Sequence, residues 1–376
     1  MKKIGIIGAG ISGLYLANIL NNHSEFDYKI FEKRDGFDVK EGYGIQLSVN
    51  SIKLLNKIGF KNLPASEVCF PNKVNFFQSN NSKKICDIDL TRFNDDQNRY
   101  TTLRRSTLLK FLIENIHKDK IKFNTRLTHL KEDNKIEAHF SDNSEESFDF
   151  LVIADGIFSQ SRSIVLNQVI EPKYNNSIAI RGLISDYNDN NISVFMGSNF
   201  HYVIYPINQN NEYNFVAIIK KKLAEDEIKN HQLFQNDDFL SSMKVFLAKN
   251  SNMSFENLIK VKAFPVFFNN EVKSINKKNI FLSGDALFAL PPSFAQGASQ
   301  SIETAQDIFK SILNDSDDFY KKRIRKISSI NWKSRLNHFA FHLSNPLNVI
   351  IRNLILGYLT KNKKFLENYL GKIYRN

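Results

Sequence analysis

Cysteine is nearly absent from this chain. Cys69 and Cys86 are its two thiols, and one pair in 376 residues makes no disulfide framework. Neither sits in a metal-ligand or Cys-x-x-Cys spacing, so no metal site is expected and a reducing cytoplasm fits best. No secretory leader is expected either, since Met1-Lys2-Lys3 runs straight into a glycine-rich turn, with no apolar core or cleavage site of a signal peptide between them. Long apolar runs are lacking. The most apolar late stretch, 348–359, is short and carries Arg352, so no membrane-spanning helix is expected. Helix-turn-helix, zinc-finger and RNA-binding sheet signatures are also missing, which argues against a nucleic-acid partner despite a net charge of +12.

What remains is a globular composition. A hydrophobic fraction of 42% with 24% charged residues lies near the average for folded soluble chains. The length allows two interlocked domains and a tail. Lysines cluster after Tyr320 and at 361–364. They read first as a solvated surface, with an acidic membrane surface or an anionic ligand as the other readings.

Residues 3–8 read as a short buried strand, 12–21 as a helix behind it and 28–32 as a second strand. A strand, glycine turn, helix and strand in this compass form a βαβ unit, which is parallel and right-handed. Stretches 121–124, 148–154 and 280–283, each expected to lead into a helix, would extend the same sheet. In 70–100 and 175–270 the apolar residues alternate, as in Ile178, Ile180, Val194, Tyr202, Ile204, Phe215 and Ala217. That period predicts antiparallel strands of a second, discontinuous sheet domain, with Asn/Asp clusters at 188–191 and 208–211 as its hairpin turns. The expected division is 1–70, 101–174 and 273–330 for the first domain, 71–100 and 175–272 for the second, and 331–376 for a helical tail broken at Pro346.

Three motifs carry chemistry. Gly8-Ala9-Gly10-Ile11-Ser12-Gly13 matches the dinucleotide fingerprint: Gly8 for the tight turn, Gly10 for close approach of a pyrophosphate, Gly13 for helix packing. Glu32, nineteen residues after Gly13, is placed to accept hydrogen bonds from a ribose. The fingerprint does not separate NAD from FAD. Downstream, Gly284 and Asp285 follow an apolar strand, and Pro291, Pro292, Gln296 and Gly297 precede a helix beginning near Ala298. A carboxylate at a strand end suits sugar-like hydroxyls, and a helix N-terminus suits negative charge. The third motif, Asp155, Gly156, Ser159 and Arg162, again follows a buried strand, with Arg162 serving a phosphate or a structural carboxylate.

In this order the three motifs resemble the class A flavoprotein monooxygenases, the group containing salicylate and hydroxybenzoate hydroxylases, over nearly the whole chain. Smaller matches agree: Gly42-Tyr43-Gly44-Ile45-Gln46-Leu47 is similar to the segment beside the flavin, Arg105 to the flavin-contacting arginine, and Arg181-Gly182 and Tyr205-Pro206 to the substrate-domain strands. Arg352-Asn353 in the tail is similar as well. The resemblance implies an α/β fold, with a Rossmann-type FAD-binding domain interleaved with an antiparallel β-sheet substrate domain and a C-terminal helical tail. It implies FAD held by Gly8, Gly10, Ser12, Gly13, Glu32, Arg34, Gly44, Arg105, Asp155, Gly156, Arg162, Gly284, Asp285, Gln296, Gly297 and Ala298. With a single GxGxxG in the chain, NADPH or NADH would bind transiently on the FAD domain. The implied reaction is hydroxylation of an aromatic or other electron-rich small molecule by O2 through a flavin C4a-hydroperoxide, with Pro291 and Pro292 on the oxygen side. Two departures stand out: Leu287-Phe288 where the family continues Ala-His, and Ala295-Gln296-Gly297 where it has Gly-Gln-Gly.

A phenolic substrate would gain from a base that takes its proton. His201, Tyr202 and Tyr205 are the candidates, with a structurally bonded strand histidine as the plain alternative for His201. Gln46, Arg181 and Tyr202 are expected to touch substrate; Arg181 would pair a carboxylate or join an internal ion pair. The 32 Phe residues are mostly core. Three other readings stay open: an isoprenoid-saturating flavin reductase, a quinone-ring hydroxylase working at a membrane, and a non-catalytic flavin- or lipid-binding protein. The tail 347–370 is either an interfacial amphipathic element or a helix packed on the FAD domain.

Overall fold

Strand Lys2–Ile7 buries its last four residues completely, as a central parallel strand covered on both faces must. The computed structural model describes residues 1–376 except 38, 40–42, 186, 270–274, 276, 317 and 376, so Gly42 and the expected boundary at 272/273 lie outside the described residues. Around Lys2–Ile7 a parallel sheet runs in the order Ile280–Leu282, Phe150–Ile153, Lys2–Ile7, Phe26–Phe31, Ile121–Lys122. The expected strands are present. Ile121–Lys122, however, leads into the antiparallel meander Leu127–Glu132, Ile136–Phe140, Glu145–Phe148 rather than a helix. The meander lies on the sheet, with Phe140 stacked on Phe31 at 4.0 Å.

The sheet's carboxyl ends are tied together, since Gly8 N–H donates to Phe31 O, Ala154 N–H to Ile7 O and Ser283 N–H to Ile153 O. The three motifs therefore share one edge, although 150 and 130 residues of chain, in round numbers, separate them. Helix Gly297–Asn314 packs against helix Ile11–Leu20 behind this edge.

The second sheet has seven strands, ordered Ile259–Phe268, Lys173–Ser185, Glu212–Lys220, Phe200–Pro206, Ile192–Gly197, Lys73–Gln78, Lys84–Asp89. The stretches around 70–100 and 175–270 do join, with one exception to the antiparallel expectation: Ile192–Gly197 pairs with Lys73–Gln78 in parallel. The 208–211 cluster does turn a hairpin, with Asn211 left-handed at φ 57°. The 188–191 cluster does not, because two other strands lie between its flanking strands in the sheet. Asp189 there binds Asn191 N–H and the Ser193 hydroxyl, closing a local turn at the start of a crossover.

The tail is helical, as Phe319–Phe341 and Pro346–Leu359. Pro346 starts the second helix, and Asn345 caps it by accepting from Leu347 and Asn348 N–H. Leu366, Leu370, Ile373 and Tyr374 then bury themselves against Leu90, Phe93 and Tyr100. The chain's end thus packs beside the second sheet and also touches helix Val49–Asn56 of the first domain. Among the described residues no helix is long and apolar enough to cross a membrane.

Candidate functional site

At the fingerprint, each glycine has a distinct physical reason. Gly8 adopts φ +108°, and a Cβ there would stand 2.5 Å from Ala154 O. At Gly13 a Cβ would fall 2.1 Å from Gly8 O, so the helix seats directly on its own turn. Above Gly10 the nearest atom lies 4.0 Å away, leaving room for a ligand to reach the backbone. Glu32 accepts from Ala9 N–H at 2.8 Å and Arg34 N–H at 3.0 Å, which fixes its carboxylate at the rim. Gly8, Ala9, Gly10, Glu32 and Arg34, with Arg105, Asp155 and Gly156, wall a cavity of about 330 Å3.

Two expected cofactor residues act otherwise. Arg162 is buried and its guanidinium donates to the carbonyls of Ile157, Ile170 and Ala286, so it ties loops together and offers nothing to a phosphate. Ser12 turns its hydroxyl to Ser283 Oγ at 2.6 Å and Ser301 O at 3.0 Å, fastening two motifs together and leaving only its backbone N–H for a ligand.

Asp285 walls this cavity and also a second, larger one of about 790 Å3. Its side chain meets open cavity, but it lies deep in the fold, and desolvation pushes its carboxyl up to about 6 while Arg105 pulls the other way. Pro291, Pro292, Gln296, Gly297 and Ala298 continue the wall. Gln296 spends its side chain on Ser48 Oγ and Gln300, so it presents backbone to the cavity at the start of helix Gly297–Asn314. At Gly297 a Cβ would meet nothing within 4 Å. A ligand spanning both cavities would place a diphosphate over Gly10, sugar hydroxyls by Asp285 and a flat ring at this helix N-terminus, where the free N–H groups favour negative charge.

The two departures now have structural meaning. Leu287 and Phe288 are buried in the main core and do not line either cavity. Ala295 sits left-handed at φ 51°, a conformation that glycine adopts without steric cost.

Strand alternation decides which residues of the second sheet face the larger cavity. Cross-strand partners Arg181, Val216 and Val203 line it, as do His201, Tyr205 and Asn214. Tyr202 has the opposite parity. It is buried in the core behind the sheet, stacked on Phe195 at 4.6 Å, so its expected roles toward substrate are withdrawn. Gln46 does line the cavity and accepts from the Tyr100 hydroxyl at 2.9 Å. Gly44 touches this sheet closely, donating to Asn214 Oδ1 at 2.6 Å, and a Cβ there would meet Asn214, Ile207 and Tyr205 below 3 Å.

Burial pushes the Tyr205 phenol up, leaving a neutral hydroxyl. Arg181 presents a buried Nε with no hydrogen-bond partner and stands 5.7 Å from the Phe264 ring. The internal ion pair foreseen for it is not formed among the described residues. His201 Nδ1 lies 2.8 Å from His342 Nε2, and the His338 ring is 4.2 Å from His342. Burial pushes all three down, helped at His201 by the other two imidazoles, at His342 by His338 and Lys220, and at His338 by Lys220; His201 falls well below the usual histidine range and His342 to about 3. A histidine held neutral in this way is a weak proton acceptor, so His201 fits the bonded-strand alternative better than a base.

Sequence reasoning missed Asn214, Tyr100, His338 and His342. Asn214 alone had a signal: given the 208–211 hairpin, it falls opposite Tyr205. The rest reach the site through tertiary packing.

Residues 1–314 match the family model described as the FAD binding domain. A 3-amino-4-hydroxybenzoate 2-monooxygenase of Streptomyces platensis is 22% identical over 365 residues, covering 91% of this chain and 89% of its own. A 6-hydroxynicotinate 3-monooxygenase of Bordetella bronchiseptica is 22% identical, covering 81% and 80%. Among solved structures, Klebsiella pneumoniae HpxO with FAD and uric acid superposes at a TM-score of 0.82 and 17% identity, covering 99% of this chain and 96% of that one. A salicylate hydroxylase substrate complex does so at 0.76 and 16%, covering 100% and 95%. The chain belongs to the FAD-binding domain family, among the class A FAD-dependent aromatic monooxygenases.

Proposed function

We propose that the chain uses FAD, NAD(P)H and O2 to hydroxylate an aromatic substrate bearing an anionic or hydrogen-bond-accepting substituent. The observation that carries this reading is the meeting of a nucleotide-sized cavity and a larger apolar one at Asp285, in front of a helix N-terminus. Bound there, FAD would accept electrons from the nicotinamide and activate oxygen. The residues fit it. Glu32 and the backbone at Gly10 would hold the adenosine diphosphate half, Asp285 would take ribityl hydroxyls, and the N–H groups from Gly297 onward would stabilise charge at the ring.

The larger cavity supplies orientation and dryness. Val74, Phe76, Leu90 and Val203 wall it, so an apolar ring displaces water on binding. Arg181, whose buried Nε has no partner, offers its guanidinium to the substituent, and Tyr205 and Asn214 add hydrogen bonds of fixed geometry. Pro291 and Pro292 line the cavity with no N–H to donate, and would keep the oxygen side of a bound flavin free of hydrogen-bond donors.

The test is anaerobic reduction of the FAD-loaded protein by NADPH and NADH, followed by turnover in 18O2 with aromatic acids and phenols that stimulate NAD(P)H oxidation. One labelled oxygen atom in the product is expected. Reduction followed by hydrogen addition, with no label incorporated, would replace this reading with that of a reductase.

A further inference from the structure

The net charge of this molecule is confined to its end. Residues 319–376 hold thirteen Lys and Arg against one Glu, and the first 318 residues hold 38 of each sign, so the whole net charge of +12 belongs to the tail. That tail also turns its apolar residues outward. On helix Pro346–Leu359 the exposed side chains are Leu347, Ile350, Ile351, Leu354, Ile355 and Tyr358, spaced as one stripe, while Arg352 is the residue it buries. Leu354 and Tyr358 are 70% and 71% exposed. Helix Phe319–Phe341 shows a second stripe, Trp332, Leu336 and Phe339, at 62%, 41% and 67% exposure. Arg352 links the helices by donating to Ala340 O.

The two stripes flank one opening, because Leu336, Phe339, Ile351 and Ile355 also line the larger cavity. The apolar face and the cavity wall are one continuous surface. Basic side chains continue it: Lys361 follows Tyr358 by one turn, with Lys363 and Lys364 beyond it, and Arg335 and Arg325 share the Trp332 face of the other helix. An exposed apolar area of this kind marks a docking surface.

We propose that this face lies in the interface of an anionic bilayer, with the cavity mouth opening onto lipid. The charge argues for lipid over a second copy of the chain, since a dimer through this face would bring two tails of +12 together, whereas anionic headgroups attract them. Neither helix is long and apolar enough to span, so the contact is in-plane. Resting on the oxygenase reading, the substrate class is a bilayer-partitioned aromatic whose oxygen-bearing end reaches Arg181.

Trp332 is the chain's one tryptophan, so its emission reports on this face alone. The full FAD-loaded chain is mixed with phosphatidylcholine vesicles with and without about 30% phosphatidylglycerol, whose negative surface potential attracts basic faces. Co-sedimentation, a blue shift and quenching by brominated lipid are expected on the anionic vesicles only, and Ile350→Glu/Leu354→Glu, neither of which lines the cavity, should abolish them. No binding, or equal binding to both vesicles, overturns the proposal. So does a concentration-dependent dimer in sedimentation velocity that the double variant dissolves without any vesicle binding. For compounds that stimulate NAD(P)H oxidation, the double variant should show at least a tenfold rise in KM when they are delivered in vesicles and none when delivered in water; equal KM values would sink access from lipid. Retained FAD absorbance in the variant separates these outcomes from failure of the flavin reading.

Discussion

Asp285 faces open cavity yet holds its proton up to about 6, against an ordinary 3.8. Between those values the native chain binds the proton more tightly than the unfolded one, so this group's contribution to stability falls as pH rises through the window. Discounted for water in the cavity, the loss at neutral pH is on the order of 1 kcal/mol. Asp285→Asn should therefore raise the Tm of the FAD-free protein at pH 7.5, with no difference below pH 3.8, while weakening FAD retention in gel filtration. At Arg181 the expectation is kinetic. Arg181→Gln removes a charged hydrogen bond of about 1.5–3 kcal/mol, raising KM for an acidic substrate roughly 10- to 100-fold and leaving flavin reduction without substrate unchanged. The two residues differ in legibility. Asp285 stood in a motif, whereas Tyr202 and Tyr205 looked alike until strand parity separated them.

Among elements, helix Phe319–Phe341 is held by core packing of Phe319, Tyr320 and Ile327 and by a buried arginine. Arg323, 1% exposed, binds Asp307 and Gln300 on helix Gly297–Asn314 and pairs with Glu303. Arg323→Ala leaves Glu303 with Lys326 as its cation and takes the charged partner from Gln300 and the part-exposed Asp307, and should cost about 1.5–3 kcal/mol in urea unfolding. The βαβ unit was readable because its glycines, strand and carboxylate act within one local stretch. The 188–191 cluster misled for a complementary reason: turn chemistry says that the chain bends, not which strand it will meet. The same holds for the meander after Ile121–Lys122, whose docking on Phe31 is a tertiary contact.

Over the whole molecule, acid should weaken the fold. His201, His338 and His342 are held neutral below the ordinary 6.5, so their stabilisation is complete above that pH and is lost as pH falls toward their lowered values. Asp285 acts in the opposite sense over part of the range, but one carboxyl opposes three imidazoles. Thermal melts of the FAD-free chain should drop between pH 7.5 and 5, and the drop should shrink in His201→Gln/His342→Gln. An undiminished drop would place the acid sensitivity elsewhere. No local pattern announced this cluster, because His201 lies 141 residues from His342.

The parallel pairing of Ile192–Gly197 with Lys73–Gln78 means that the large sheet is assembled from two separated lengths of chain. A fragment covering 175–272 alone would keep five strands and expose the bare backbone of Ile192–Gly197, an invitation to intermolecular strand addition. Supplying 70–100 as a separate peptide should restore solubility by filling that vacant berth, so the dissected half is recoverable only as a two-piece complex.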